Sequence, residues 1–248
     1  MIPKIIHHTA PTNVNKWHPL WNRCLDSWKR HFPEPEYQHF MWNDEDIDNL
    51  VKNSFPQFYD LYQSFECHII KIDFARFCML HLHGGIYADM DFFCYKNFYD
   101  ELKDDAVMLE ALAEDEILQN ALMASTKENG FILYCMNEVK RLWYPYHEKL
   151  GSNHYIKDIC GPYLLSRCYM TYPRRIQLLD AARYNPPINT YREDYVTKHM
   201  LTGLWGKEAI DNVTNNVKPN ESYDNHIQES YRNFRGVDIT KFNFYKNY

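Results

Sequence analysis

The chain has 248 residues, 45% of them hydrophobic and 24% charged, enough to fill the core of one large α/β domain beneath an ordinary soluble surface. A net charge of -6, with basic pairs only at Lys29-Arg30 and Arg174-Arg175, argues against a nucleic-acid partner, which needs a basic stripe. Seven cysteines without a Cys-x-x-Cys pair argue against a disulfide framework or a structural zinc site, and read as buried thiols in a reducing compartment.

In chain order, Ile2 to Thr9 is a β-rich opening run. From Trp17 to Phe32 the apolar residues Trp17, Leu20, Trp21, Cys24, Leu25 and Trp28 fall at helical spacing, and Pro33 ends the helix. Tyr37 to Trp42 reads as a second strand. Asn43 caps the next helix, since Asp44, Glu45 and Asp46 then occupy its positive first turn. Between Glu66 and His83, Ile72, Ala75, Met79 and Leu82 mark one helical face, and Ile70, Phe74 and Phe77 another. A helix apolar on two faces is buried, so its internal charges Lys71, Asp73 and Arg76 need a reason. Gly84-Gly85 stops that helix, and Ile86-Tyr87-Ala88 runs as a strand into Asp89-Met90-Asp91. Val107 to Leu112 reads as another strand, and Ile117 to Ala124 fits strand or helix. Beyond Gly151 the pattern loosens. One catalytic domain over residues 1–210 is expected, with an Asn-, Tyr- and Lys-rich extension over 211–248 packed on it.

Paired carboxylates at a strand's carboxyl end lie where open α/β sheets bind ligands. Two Asp at i and i+2 point to opposite faces of a regular strand, and converge on one ion only where the backbone turns. The same spacing at Asp44/Asp46 and Asp46/Asp48 is explained by a solvated helix start. Asp89 and Asp91 instead lie between Ile86-Tyr87 and Phe92-Phe93, where unpaired charge is costly, so they need a cation, or else Arg or Lys partners. Hard oxygen ligands of this kind suit Mn²⁺ or Mg²⁺. Asp73 and Arg76, three apart, share a helix face; they either present themselves to sugar hydroxyls or phosphate, or satisfy each other inside the fold. Aromatic residues at 16% supply rings that can stack on sugars, although any one of them serves equally as core.

Taken together, these segments resemble the family of DXD-containing glycosyltransferases, and the sugar-binding region is similar to the glucosyltransferase domain of the large clostridial toxins. The resemblance is carried by Ile2-Pro3-Lys4-Ile5-Ile6-His7, by Ser27-Trp28-Lys29 followed by Tyr37 to Trp42, and above all by Lys71-Ile72-Asp73-Phe74-Ala75-Arg76 continuing through Gly84-Gly85 to Asp91. It covers the first half of the chain. It implies a GT-A fold (a Rossmann-like nucleotide-binding sheet flanked by helices), a nucleotide-sugar donor, a glycan or other hydroxyl acceptor, and retention of the donor's anomeric configuration. Asp73 and Arg76 would hold the donor sugar or its phosphates. Asp89 would meet ribose or metal, and Asp91 would ligate the metal. Asn120-Ala121 resembles a step facing donor and acceptor, Gly161-Pro162 a turn on the acceptor side, and His199 a late third ligand for metal or diphosphate. Where the family carries a base-stacking Trp, Thr9-Ala10-Pro11 stands here, giving Thr9 the donor-side place, and Ile72 replaces the usual Ser.

Two rival readings remain. A metal-dependent phosphohydrolase would carry Thr two residues after Asp91, where Phe93 stands. A non-catalytic nucleotide-sugar-binding module would keep the same residues. The start Met1-Ile2-Pro3-Lys4 lacks the apolar run of a signal peptide, and no stretch reaches the ~20 apolar residues that span a membrane. A cytoplasmic enzyme without a membrane anchor is therefore expected. Asn212-Val213-Thr214 and Asn220-Glu221-Ser222 match the glycosylation pattern.

Overall fold

The computed structural model describes residues 1–65, 68–112, 117–146, 154–187, 190 and 192–201. The expected extension over 211–248, with both glycosylation patterns, lies outside the described residues. Strand β1 (Ile5–Thr9) is followed by α1 (Pro19–His31), β2 (Gln38–Trp42), α2 (Asp44–Ser54), α3 (Pro56–Ser64), α4 (His68–His83) and β3 (Gly85–Ala88). Then come β4 (Phe92–Cys94), β5 (Ala106–Glu110), β6 (Leu118–Ser125), α5 (Gly130–Tyr146), α6 (His154–Ile159), α7 (Pro162–Thr171), β7 (Gln177–Leu179), α8 (Ala181–Tyr184) and β8 (Thr197–His199).

Six strands form one sheet in the order β2-β1-β3-β6-β5-β7, and β4 and β8 form a separate two-stranded ribbon. Within the large sheet β1 runs parallel to β2 and β3, and β5 parallel to β7, while β6 is antiparallel to both of its neighbours. Successive strand residues face alternate sides, and this period sorts the core in two. Tyr87, Met108 and Met123 pack with α2 to α7 on one face; Ile86, Val107, Leu109 and Leu122 pack with Trp28 of α1, Phe32 just past its end and Tyr184 of α8 on the other. The result is a three-layer α/β architecture.

Local chemistry explains the elements that aim the site. Asn43 caps α2 by accepting from Glu45 N and Asp46 N, and Asp46 Oδ2 accepts from Asn43 N at 3.1 Å, a complete capping box. Helix α4 is buried along most of its length, as its two apolar faces require. It stops at Gly84, whose N–H donates to Leu80 O at 2.9 Å and whose φ of 66° favours glycine. A Cβ there would meet Lys127 N at 2.6 Å, and one on Gly85 would meet Ile5 O at 2.5 Å. The two glycines thus let β3 enter the sheet directly from α4. The segment Ile117 to Ala124, open between two readings from its sequence, forms β6, which is buried along its whole length from Leu118 to Ser125. The six described cysteines are free and buried.

Candidate active site at the carboxyl edge of the sheet

Beyond Ala88 the chain leaves the sheet. Phe92 N donates to Asp89 O at 3.0 Å, closing a turn over Asp89-Met90-Asp91-Phe92. The turn breaks the alternation of a strand and brings both carboxylates to one side, as two ligands at this spacing require. The third member arrives from far along the chain. β8 pairs antiparallel with β4, with Phe92 opposite His199, and Met200 N donates to Asp91 O at 2.8 Å. The His199 ring stacks on Phe92 with centroids 4.7 Å apart, and its Nε2 lies 3.1 Å from Asp91 Oδ1. One ligand atom from each of Asp89, Asp91 and His199 falls within 4.8 Å of the others.

Arg76 joins the helix to this turn. Its NH2 lies 3.0 Å from Asp89 Oδ1 and 3.2 Å from Asp73 Oδ1, its NH1 donates to Asn120 O at 3.0 Å, and its guanidinium stands 5.0 Å from the Tyr87 ring centroid. Tyr87 OH donates to Asp89 Oδ1 at 2.7 Å and lies 3.0 Å from Thr9 Oγ1. Both contacts of Asp89 fall on Oδ1, so Oδ2 is the oxygen it can turn towards an ion.

Several polar atoms here are buried without hydrogen bonds: both oxygens of Asp73, Arg76 Nε, Asn120 Nδ2 and His199 Nδ1. Asp73 is 1% exposed. Arg76 and Asn120 oppose the effect of burial only in part. Burial therefore outweighs the guanidinium and pushes the carboxyl up to about 7. Burial also raises Asp89, with Asp91 adding to the rise and Arg76 opposing it. Burial alone would lower His199, but Asp91 and Asp89 more than reverse this and raise it. Asp89 and Asp91 stand beside one guanidinium and one imidazole, with two carboxylates turned to one place. A divalent ion fits this donor set.

The structure thus brings together Thr9, Asp73, Arg76, Asp89, Asp91, Asn120 and His199. Gly161 caps α7, and Pro162 is that helix's first residue. Cys160, next to Gly161, is close enough to feel the charges of Asp73 and Arg76, so this turn lies near the buried pair. Sequence reasoning missed Tyr87, whose signal was its position two residues before Asp89, on the same strand face. It also missed the pairing of β4 with β8.

A nucleotide-binding type of α/β sheet with an acidic turn at its carboxyl edge defines a GT-A glycosyltransferase fold. The structure superposes on the PaToxG glycosyltransferase with a TM-score of 0.54 at 15% identity, covering 95% of this chain and 87% of that one. Residues 19–110 match the family described as glycosyltransferase sugar-binding region containing DXD motif. It is 29% identical over 205 residues to mannosyl phosphorylinositol ceramide synthase CSH1 of Saccharomyces cerevisiae, covering 77% of this chain and 50% of the relative. It is 30% identical over 148 residues to inositol phosphoceramide mannosyltransferase 3 of Schizosaccharomyces pombe, covering 59% of this chain and 39% of the relative. The chain thus spans about half the length, or less, of these curated relatives.

These relatives correct one expectation. The opening residues suggested a cytoplasmic enzyme, whereas the relatives are named for a phosphoinositol ceramide, a lipid, and point to a membrane-associated location. The physical reason is that ceramide's hydrocarbon chains keep it in a bilayer, so an enzyme acting on its headgroup works at that surface with or without a span of its own. Among the described residues, no helix is long and apolar enough to cross a membrane.

Proposed function

We propose that this chain transfers a hexose from a nucleoside-diphosphate sugar to a hydroxyl acceptor, with Mn²⁺ or Mg²⁺ held by Asp89, Asp91 and His199. The observation that carries the reading is the convergence of those three side chains, from two distant segments, within 4.8 Å. A divalent ion at that place supplies a Lewis acid that neutralises the departing diphosphate. Arg76, already shared between Asp73 and Asp89, adds positive charge beside the leaving group or orients the sugar. Asp73 and Asn120 carry unpartnered polar atoms suited to sugar hydroxyls, and Thr9 lies with Tyr87 on the donor side. The acceptor hydroxyl attacks on the face from which the diphosphate leaves, so the anomeric configuration is retained. The relatives' names make mannose the first sugar to test, and an inositol phosphoceramide headgroup the first acceptor.

The test is a thermal-shift screen of GDP, UDP and their sugars, each with Mn²⁺ and with EDTA. A ligand at a hundredfold excess over its dissociation constant stabilises the native state by about 2.7 kcal/mol. A shift with one nucleotide family, present with Mn²⁺ and absent with EDTA, is the expected result. No shift with any nucleotide would overturn the reading. NMR of the product's anomeric proton then decides retention.

A further inference from the structure

Helix α1 begins at the site. His18 caps it: Nδ1 accepts from Leu20 N at 3.2 Å, and the His18 carbonyl accepts from Trp21 N at 2.9 Å. The first bond fixes the tautomer, because a ring nitrogen that accepts a backbone N–H carries no proton, leaving the proton on Nε2. His18 is 2% exposed, and Nε2 has no hydrogen-bond partner. Capping does not account for this residue, since Asn, Ser or Asp caps a helix at least as well without burying a second polar nitrogen.

The first turn of α1 is seated on the acidic cluster. Leu20 packs with Phe93 and Met200, and Trp21 with Ala10 and Met90. Of these, Met90 and Phe93 flank Asp91 and Met200 follows His199 in the chain. Burial holds the His18 imidazole down to about 4, and Asp91 is the charge that opposes it, so the ring is neutral at pH 7. It can donate a hydrogen bond there. It cannot ligate an ion through Nε2 without moving its proton to Nδ1, against Leu20 N–H. The positive end of a 13-residue helix reinforces the donor.

We propose that His18 Nε2–H, at the N-terminus of α1, is a binding contact for a phosphate oxygen of a ligand carried beside Asp91. The choice of phosphate rests on the glycosyltransferase reading, which offers two sources: the diphosphate of the sugar donor, and the phosphodiester of an inositol-phosphate headgroup on the acceptor.

The experiment uses His18→Ser and His18→Asn, both of which keep a cap acceptor and lose the imidazole N–H. Melting temperature checks folding. Calorimetry measures GDP and UDP with Mn²⁺, and inositol 1-phosphate, while electron paramagnetic resonance follows Mn²⁺ alone. A charged acceptor losing its donor weakens by about tenfold or more. A loss of that size for the nucleotide, with Mn²⁺ binding unchanged, supports the contact and assigns it to the donor. The same loss for inositol 1-phosphate alone supports it and assigns it to the acceptor. If the wild type then binds no nucleotide, the transferase reading falls while the phosphate contact stands. Three results overturn the proposal: folded variants that bind every probe as the wild type does, a wild type that binds neither phosphate, or an equal loss for Mn²⁺ alone, which would make His18 a support for Asp91.

Discussion

Glu101, Arg183 and Tyr184 form one charged cluster at the sheet, and Asp73, Arg76, Asp89, Asp91 and His199 form another. In the first, Arg183 NH1 donates to Glu101 Oε2 at 3.0 Å and NH2 to Oε1 at 3.2 Å, while Tyr184 OH donates to Oε2 at 2.8 Å. Burial pushes Glu101 up, yet these donors more than offset it and hold the carboxyl below its usual range. In the second, burial wins: Asp73 and Asp89 are both raised, and Asp73, Arg76 and His199 hold polar atoms without hydrogen bonds. Similar residue types therefore do opposite work. A satisfied cluster fastens one element to another, whereas an unsatisfied one stores unfavourable energy that an incoming ion or sugar relieves.

The sharpest way to break this comparison is Asp91→Asn. Removing one anionic ligand from the unsatisfied cluster should lower transfer about 10²–10³-fold with little change in melting temperature, read by product formation from a labelled nucleotide sugar. Near-wild-type transfer would remove Asp91 from the machinery.

Asp73→Asn sharpens it through pH. The folded-state pKa near 7 lies above the usual 3.8, so the folded protein holds this proton more tightly than the unfolded chain does. Its stabilising contribution is complete below about pH 4 and is lost as pH rises through about 7. Ligand-free Asp73→Asn should therefore lose less melting temperature than the wild type between about pH 5 and 8, and still bind the donor more weakly. Parallel pH profiles for the two proteins would show that Asp73 is already compensated.

The smallest effect belongs to the satisfied cluster. Glu101→Gln should cost about 0.5–1 kcal/mol in denaturant unfolding, because its pair with Arg183 is more than a third exposed and screened, and should leave kcat unchanged. A fall in kcat would show that this cluster, too, serves the reaction.

Much of this contrast could be read from the residues in order. The buried helix with misplaced charges, the glycine pair and the carboxylates at a strand end are local patterns, and each reports its own neighbourhood. Helices α3 and α5 escaped notice although Pro56 and Gly130 open them, because their apolar residues were not read for helical spacing. The β4–β8 ribbon is a long-range pairing of two three-residue strands, too short to carry a periodic signal. Tyr87 and His18 look like a core ring and a helix cap. Only their hydrogen bonds, one to Asp89 and one conspicuously missing, separate them from ordinary packing.

The ribbon that carries His199 to Asp91 has a consequence for how the molecule is held together. Roughly a hundred residues separate the two, and closing a loop of that length costs chain entropy that increases only slowly with further length. An ion gripped by both ends would act as a removable staple across most of the domain. Metal occupancy would then be felt in the resistance of the whole fold to unfolding, and chelation would loosen the β4–β8 ribbon.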